Sequence, residues 1–380
     1  MNILIAGDFS PKYRIAELID KDCAEYLFGE VKKFIEDSDY SIINFESVVA
    51  DENDVPIYKC GPNLSCTQKS VTLLKKVGFK CVTLANNHFR DYGDSAIIKT
   101  LALFDKYEID HVGGGTSLSD SQKILIKDFS NFKLGIINIC ESEFSIARSD
   151  RAGCAPINTY FNFVQIKEAK KQADKVIVIV HGGHEHFQYP SKRMKYLYRY
   201  FIEIGADAVI NHHQHCYSGY EIYKGCPIVF GLGNFLFDNP NKRHSEWNKG
   251  YIANLHVEKD FPIKLEVIPY YQCEDNPAVH ILVGEEIESF KNALCRINKD
   301  IQNDHYLDIR MSEFMESKKK AVIGALSPYS NSYVRAAAGR GWIPKFLSKN
   351  RAACLYNYII CESQRDCTLN FLENIIEKSS

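Results

Sequence analysis

The chain has 380 residues, 45% of them hydrophobic and 25% charged, with a formal net charge of −2. That length holds one large domain with an appendage, or two domains, and the composition excludes a disordered or fibrous chain. So small a net charge gives no whole-surface attraction for nucleic acid or an acidic membrane, so an anionic partner must be drawn by a local site.

In chain order, short apolar runs predict strands at Ile3–Ala6, Ser41–Asn44, Cys81–Ala85, Leu134–Ile139, Val176–Val180, Ala208–Asn211 and Pro227–Gly231. Amphipathic stretches between them predict helices near Ile15–Asp37, Thr67–Val77, Asp94–Tyr107, Phe161–Gln172 and Met194–Ile204. Strands alternating with helices of this length imply βαβ units and a largely parallel, buried sheet, an α/β fold. Tyr251–Val257 and Ile263–Tyr270 read as a closing antiparallel pair, and beyond Glu274 the patterns are helical with no clear strand. The expected division is therefore a domain over residues 1–272 and a helical region over 273–380. Gly113–Gly115 reads as a flexible turn, and Glu362, Arg365 and Asp366 as helix-surface pairs.

No basic residue precedes the opening run MNILIAGDFS, which is too short for a signal-peptide core, and no later stretch reaches the ~20 apolar residues of a membrane span. Thirteen cysteines lie scattered without a CxxC pair. A reducing, cytoplasmic setting is the expectation.

The chemistry is carried by the residues at the strand ends. Ile3–Ala6 runs into Asp8, Ser41–Asn44 into Glu46, Cys81–Ala85 into Asn87 and His88, Val176–Val180 into His181, and Ala208–Asn211 into His212, His213 and His215. Ligands of an open α/β sheet bind beyond the carboxyl ends of its strands, so separate segments would deliver these groups to one edge. Singly, each has a plainer reading: Gly7-Asp8 a turn, Glu46 a surface carboxylate, His181 a satisfied polar residue. Together they form a set with metal-binding chemistry. His213 and His215 can chelate if the backbone bends between them, and Asp91 stands near enough to His88 to orient it. Glu185 follows His181 closely and is expected to face substrate, with His212 as a hydrogen-bonded support. Asn234 and Asp238, after another strand, are candidates for orienting the ligands.

Mixed oxygen and imidazole donors without thiolate fit Mn, Fe, Zn or Co better than Ca. Two divalent ions carry four charges, of which Asp8 and Glu46 neutralise two. The remainder favours an anionic substrate, and an ion pair ~3.5–4 Å apart suits an in-line displacement.

With these residues in view, the sequence resembles the capsule-synthesis CapA family, the poly-γ-glutamate synthesis accessory proteins, which are related to the calcineurin-like metallophosphatases. The matching segments are Gly7-Asp8, Asn44-Phe45-Glu46, Leu84-Ala85-Asn86-Asn87-His88 with Asp91-Tyr92-Gly93, His181-Gly182-Gly183-His184-Glu185, Gly205-Ala206-Asp207, His212-His213-Gln214-His215, and Leu232-Gly233-Asn234-Phe235 followed by Phe237-Asp238. The resemblance implies a four-layer α-β-β-α sandwich with a dinuclear site on one edge. It implies that Asp8, Glu46 and His215 hold one ion, and that Glu46 as bridge, Asn87, His181 and His213 hold the other. His88, held by Asp91, would be the general acid. Two departures stand out: the DxH motif of the metallophosphatases is Asp8-Phe9-Ser10 here, and their bridging aspartate is Glu46.

The function implied is metal-dependent hydrolysis of a phosphoester or other anionic substrate, a small molecule or polymer precursor, in surface-polymer biosynthesis. Amide hydrolysis on a γ-glutamyl or envelope peptide, and a non-catalytic metal-containing accessory role, are the alternatives.

Overall fold

The computed structural model describes residues 1–130, 132–325, 331–342, 349–360, 368–369, 371–372 and 375–376. Its chain forms two compact units, Met1–Asp308 and Ile309–Ser380. Glu362, Arg365 and Asp366 lie outside the described residues.

Two large sheets build the first unit, beside a two-stranded one. One runs in the order Val279–Ile281, Lys264–Gln272, Lys249–His256, Asn2–Ser10, Tyr40–Phe45, Cys81–Thr83, Asp110–Val112, with Asn234–Phe237 pairing the far end of Asn2–Ser10. The other runs Tyr220–Tyr223, Cys226–Val229, Ala208–His212, Lys175–His181, Lys133–Cys140, Leu125–Asp128. Neighbours from Asn2–Ser10 to Asp110–Val112 are parallel, as are Lys133–Cys140, Lys175–His181 and Ala208–His212. The site-bearing strands of each sheet therefore end on one edge.

Alternation along the strands makes the layers. Ile3, Ile5 and Ile42 join the core that includes Ile137 and Val178 of the second sheet. Leu4, Ala6 and Ile43 join a separate core with Ile15, Leu27, Val71 and Phe104 of the helices on the first sheet. Thr159–Gln172 and Lys192–Glu203 pack on the second sheet through Ile166, Ala169, Tyr198 and Phe201. Each fully buried side chain of this kind contributes about 1.5–3 kcal/mol. The result is the expected α-β-β-α sandwich.

Several elements differ from the sequence reading. Ile15–Asp37 is three helices, Arg14–Asp20, Ala24–Phe28 and Val31–Glu36, because Asp22 (φ 56°) and Gly29 (φ 43°) turn the chain left-handed. The strand expected over Cys81–Ala85 stops at Thr83, since the Leu84 and Ala85 N–H groups donate to Asn138 Oδ1 (3.0 and 2.7 Å). Gly113–Gly115 is no flexible turn: Gly114 and Gly115 pair with Cys154 and Gly153, and a Cβ at Gly113 would sit 2.1 Å from Asn138 Oδ1. Beyond Glu274 a strand does occur, Val279–Ile281, paired with Lys264–Gln272. The helix Glu285–Gln302 then buries Phe290, Leu294, Ile297 and Ile301 in the inter-sheet core cluster, so the first unit extends to Asp308. In the second unit the helices Ser332–Gly339 and Lys349–Ile360 are described.

Candidate metal centre

Strand ends from both sheets converge on one buried cluster. Asp8 Oδ1 accepts a hydrogen bond from Asn44 Nδ2 (2.7 Å), whose position is shared with Thr83 Oγ1 (3.3 Å to Asn44 Oδ1). His181, at the end of Lys175–His181, turns Nε2 toward Asn87 Oδ1 (3.1 Å) and toward His213 Nδ1 (3.0 Å). His215 Nε2 lies 3.6 Å from Glu46 Oε1, and its Nδ1 lies 2.9 Å from Asn234 Oδ1 and 3.6 Å from Asp8 Oδ2. Donor atoms of Asp8, Glu46 and His181 all fall within 4.8 Å of one another. The six residues named as ligands in the sequence, Asp8, Glu46, Asn87, His181, His213 and His215, thus form one connected, buried group.

The bend needed between the last two histidines is present. His213 and His215 both have left-handed backbone, φ 93° and 55°, a conformation that costs non-glycine residues energy and is sustained by surrounding contacts. One such contact is the His213 N–H to Asp8 Oδ2 (3.4 Å). Asn234 holds this turn from beneath: its amide donates to the His215 carbonyl (3.1 Å) and to the Trp247 carbonyl (3.2 Å).

Glu46 is the least reconciled group. It is fully buried, and neither carboxylate oxygen has a hydrogen-bond partner among the described residues. A buried carboxylate left so is costly unless a cation neutralises it. Burial pushes its pKa well up, against the pull of His215. Burial alone would lower His215, but Glu46 and then Asp8 outweigh it and carry the imidazole up to about 10. His181 is pushed down by burial and by His213; His213 falls to about 4 through burial and His215. Asp8 is held low: burial would raise it, but contacts with His212 and His215 prevail. The lowered imidazoles of His181 and His213, the low-held carboxylate of Asp8 and the unpartnered Glu46 are donors of the kind a divalent cation takes, so the residues fit the metal that the sequence implied.

His88 sits on the rim. Its Nδ1 is 2.7 Å from Asp91 Oδ2 and its Nε2 is 3.9 Å from Glu46 Oε1, so the free nitrogen faces the cluster. Burial lowers its pKa, with Asp91 opposing. Asp91 is fully buried and also accepts from the Leu64 N–H (2.6 Å) and from the ammonium of Lys59. Lys59 Nζ is in turn 3.2 Å from His88 Nδ1.

His212 is buried, with Nδ1 3.1 Å from Asp8 Oδ1 in a direction unsuited to a hydrogen bond. Glu185 is exposed; the partial burial of its carboxyl is outweighed by His215 and His213, which hold its pKa down. Asp238 is engaged elsewhere, accepting two hydrogen bonds from the Arg14 guanidinium (2.8 Å each) with Arg243 3.4 Å away. Sequence reasoning missed Asn44 and Lys59. Asn44 stood in view as a strand residue in the Asn44-Phe45-Glu46 motif; Lys59 lies in an irregular loop.

Comparison with known proteins finds capsule-synthesis relatives. The chain is 31% identical to "PGA biosynthesis protein CapA" of Bacillus subtilis strain 168 over 276 residues, 72% of each chain. It is 28% identical to "Capsule biosynthesis protein CapA" of Bacillus anthracis, over 73% of this chain and 69% of that one. Among solved structures, a hypothetical protein from Thermus thermophilus aligns with TM-score 0.46 and 14% identity, over 71% of this chain and 99% of that chain. The model of the bacterial capsule synthesis protein family PGA_cap matches residues 2–239, the stretch that carries every candidate ligand, and the chain belongs to that family.

Proposed function

We propose that the protein is a metal-dependent hydrolase whose substrate is an anionic ester, a phosphoester first, in the biosynthesis of a surface polymer. The observation that carries this reading is Glu46: a carboxylate wholly out of solvent, without a hydrogen-bond partner among the described residues, with the imidazoles of His215 and His88 at 3.6 and 3.9 Å. Asp8, Glu46 and His215 would hold one divalent ion, and Glu46, Asn87, His181 and His213 a second, with Mn, Fe or Zn suited to the donors. Bound there, the ions would supply Lewis acidity toward charge developing on a substrate oxygen and lower the pKa of water.

The remaining work falls to the chain. Asp91 fixes the His88 ring so that Nε2 faces the cluster, where it can deliver a proton to a departing oxygen. Lys59 pairs its ammonium with the Asp91 carboxylate beside His88, which helps to hold that carboxylate in place. Glu185, exposed and within electrostatic reach of His213 and His215, contributes to substrate choice. The polymer context rests on the family and on the names of its Bacillus relatives.

The test is a panel of phosphomonoesters, phosphodiesters and γ-glutamyl amides, assayed with added Mn and again after chelation. Chelator-sensitive turnover of a phosphoester is the expected result. Turnover of the amides alone would replace the substrate class, and no turnover of any member by metal-loaded protein would favour an accessory role.

A further inference from the structure

Along Asn2–Ser10 the side chains alternate, with Ile3 and Ile5 in the core between the sheets and Leu4 and Ala6 in the core beneath the helices. Unbroken alternation would put Asp8 on the Ala6 face, away from the second sheet. The pairing with Tyr40–Phe45 slips instead: Ala6 is opposite Ile43, Asp8 is opposite Asn44, and Gly7 is the extra residue between them. A bulge of this kind re-aims the side chain that follows it. Asp8 consequently faces the second sheet, where its carboxylate meets His212 and His215, and Phe9 returns to the helix-side core. Asn44, two residues on from Ile42, faces the same way, toward His181.

We infer that Asn44 is a positioning residue of the metal centre, which fixes the re-aimed Asp8 carboxylate in the orientation that binds a divalent ion. The inference rests on the metal site of the proposed function. Asn44 is fully buried, and its Nδ2 donates to Asp8 Oδ1 at 2.7 Å, while the His213 N–H reaches Asp8 Oδ2 at 3.4 Å. Each carboxylate oxygen is thus held against rotation. The amide is itself oriented: Thr83, opposite Asn44 on the next strand, donates its hydroxyl to Asn44 Oδ1 (3.3 Å), which turns Nδ2 toward Asp8. That nitrogen also stands 3.3 Å from Nδ1 of His181, so one amide meets a candidate ligand from each sheet. Thr83, Asn44 and Asp8 form a chain of side chains across three neighbouring strands into the cluster. Ligating carboxylates depend on such outer hydrogen bonds for their placement.

The experiment is calorimetric titration of the full-length, metal-stripped protein with Mn2+ alone, comparing the natural chain with Asn44→Ala and Thr83→Val. Thermal unfolding first verifies that each variant is folded, so that affinity reads positioning and not lost stability. Asn44→Ala removes the hydrogen bond to Asp8 and is expected to weaken Mn2+ binding by about 10–100-fold. Thr83→Val keeps the shape of the strand residue and the Asn44 amide but removes the hydroxyl that orients it, so a smaller loss is expected. If Asn44→Ala does not fold, Thr83→Val alone decides. Folded variants that bind Mn2+ as tightly as the natural chain would overturn the inference while leaving the metal site standing. A loss in Thr83→Val with none in Asn44→Ala would also overturn it, since Thr83 would then act by another route. A natural chain that binds no Mn2+ would instead remove the proposed function, and the inference with it.

Discussion

Asp91 and His88 form a directed pair: the carboxylate takes one ring nitrogen at 2.7 Å, and the other nitrogen is left facing Glu46 at 3.9 Å. Proton delivery to a leaving group should then depend on both residues, and metal binding on neither. His88→Ala is expected to lower kcat by about 10²–10⁴-fold with little change in KM. Asp91→Asn should lower kcat by a smaller factor. Steady-state kinetics on metal-loaded protein, beside metal content, checks both statements.

Glu46 gives a prediction of opposite sign with and without metal. Burial raises its folded pKa above the ordinary 4.5, so in metal-free protein folding is favoured while the group is protonated and is penalised as pH rises above that value. Glu46→Gln should therefore stabilise metal-free protein at pH 7 by about 1–3 kcal/mol. In the presence of Mn the same change should abolish the stabilisation that metal confers on the natural chain. Thermal unfolding with and without chelator reads both effects.

Gly7 precedes Asp8 where two backbones cross. A Cβ there would lie 2.0 Å from the Gly233 carbonyl oxygen, which also accepts the Asp8 N–H (3.2 Å). Gly7→Ala must displace that contact, at a cost of about 1–3 kcal/mol, and shift Asp8 with it. Denaturant unfolding and Mn2+ titration should show lowered stability and weakened binding together.

Asp238 is a stability determinant through Arg14. Burial would raise its carboxyl, but the Arg14 hydrogen bonds outweigh this and hold it below the ordinary 3.8. With a depressed folded pKa, the contribution is present above pH 3.8 and disappears as pH falls through the folded value. Asp238→Asn should cost about 1.5–3 kcal/mol at pH 7, and its difference from the natural chain should shrink below pH 3.8. Unfolding midpoints across that pH range provide the check.

Parts of this arrangement were legible in the chain and parts were not, for physical reasons. Buried parallel strands such as Ile3–Ala6 and Val176–Val180 announce themselves as apolar runs, and the polar residues after them mark the edge where ligands gather. Asn234–Phe237 was harder: Gly233 and Asn234 look like turn residues, yet Asn234 opens a strand paired to Asp8–Ser10. Leu125–Asp128 and Tyr220–Tyr223 are half-buried edge strands of mixed polarity, which carry little pattern. The break in Ile15–Asp37 depends on the backbone of Asp22 and Gly29, and an apolar period does not register it. Lys59 reaches Asp91 from 32 residues away, a pairing fixed by loop closure with no local signature.

The central claim is that Asp8, Glu46, Asn87, His181, His213 and His215 share one metal centre. Elemental analysis of protein purified without chelator, beside Asp8→Ala, Asn87→Ala and His213→Ala, tests it most directly. The account predicts about two equivalents of Mn, Fe or Zn in the natural chain, with a loss in every variant. No bound metal in the natural chain, even after reconstitution with Mn or Zn, would contradict it.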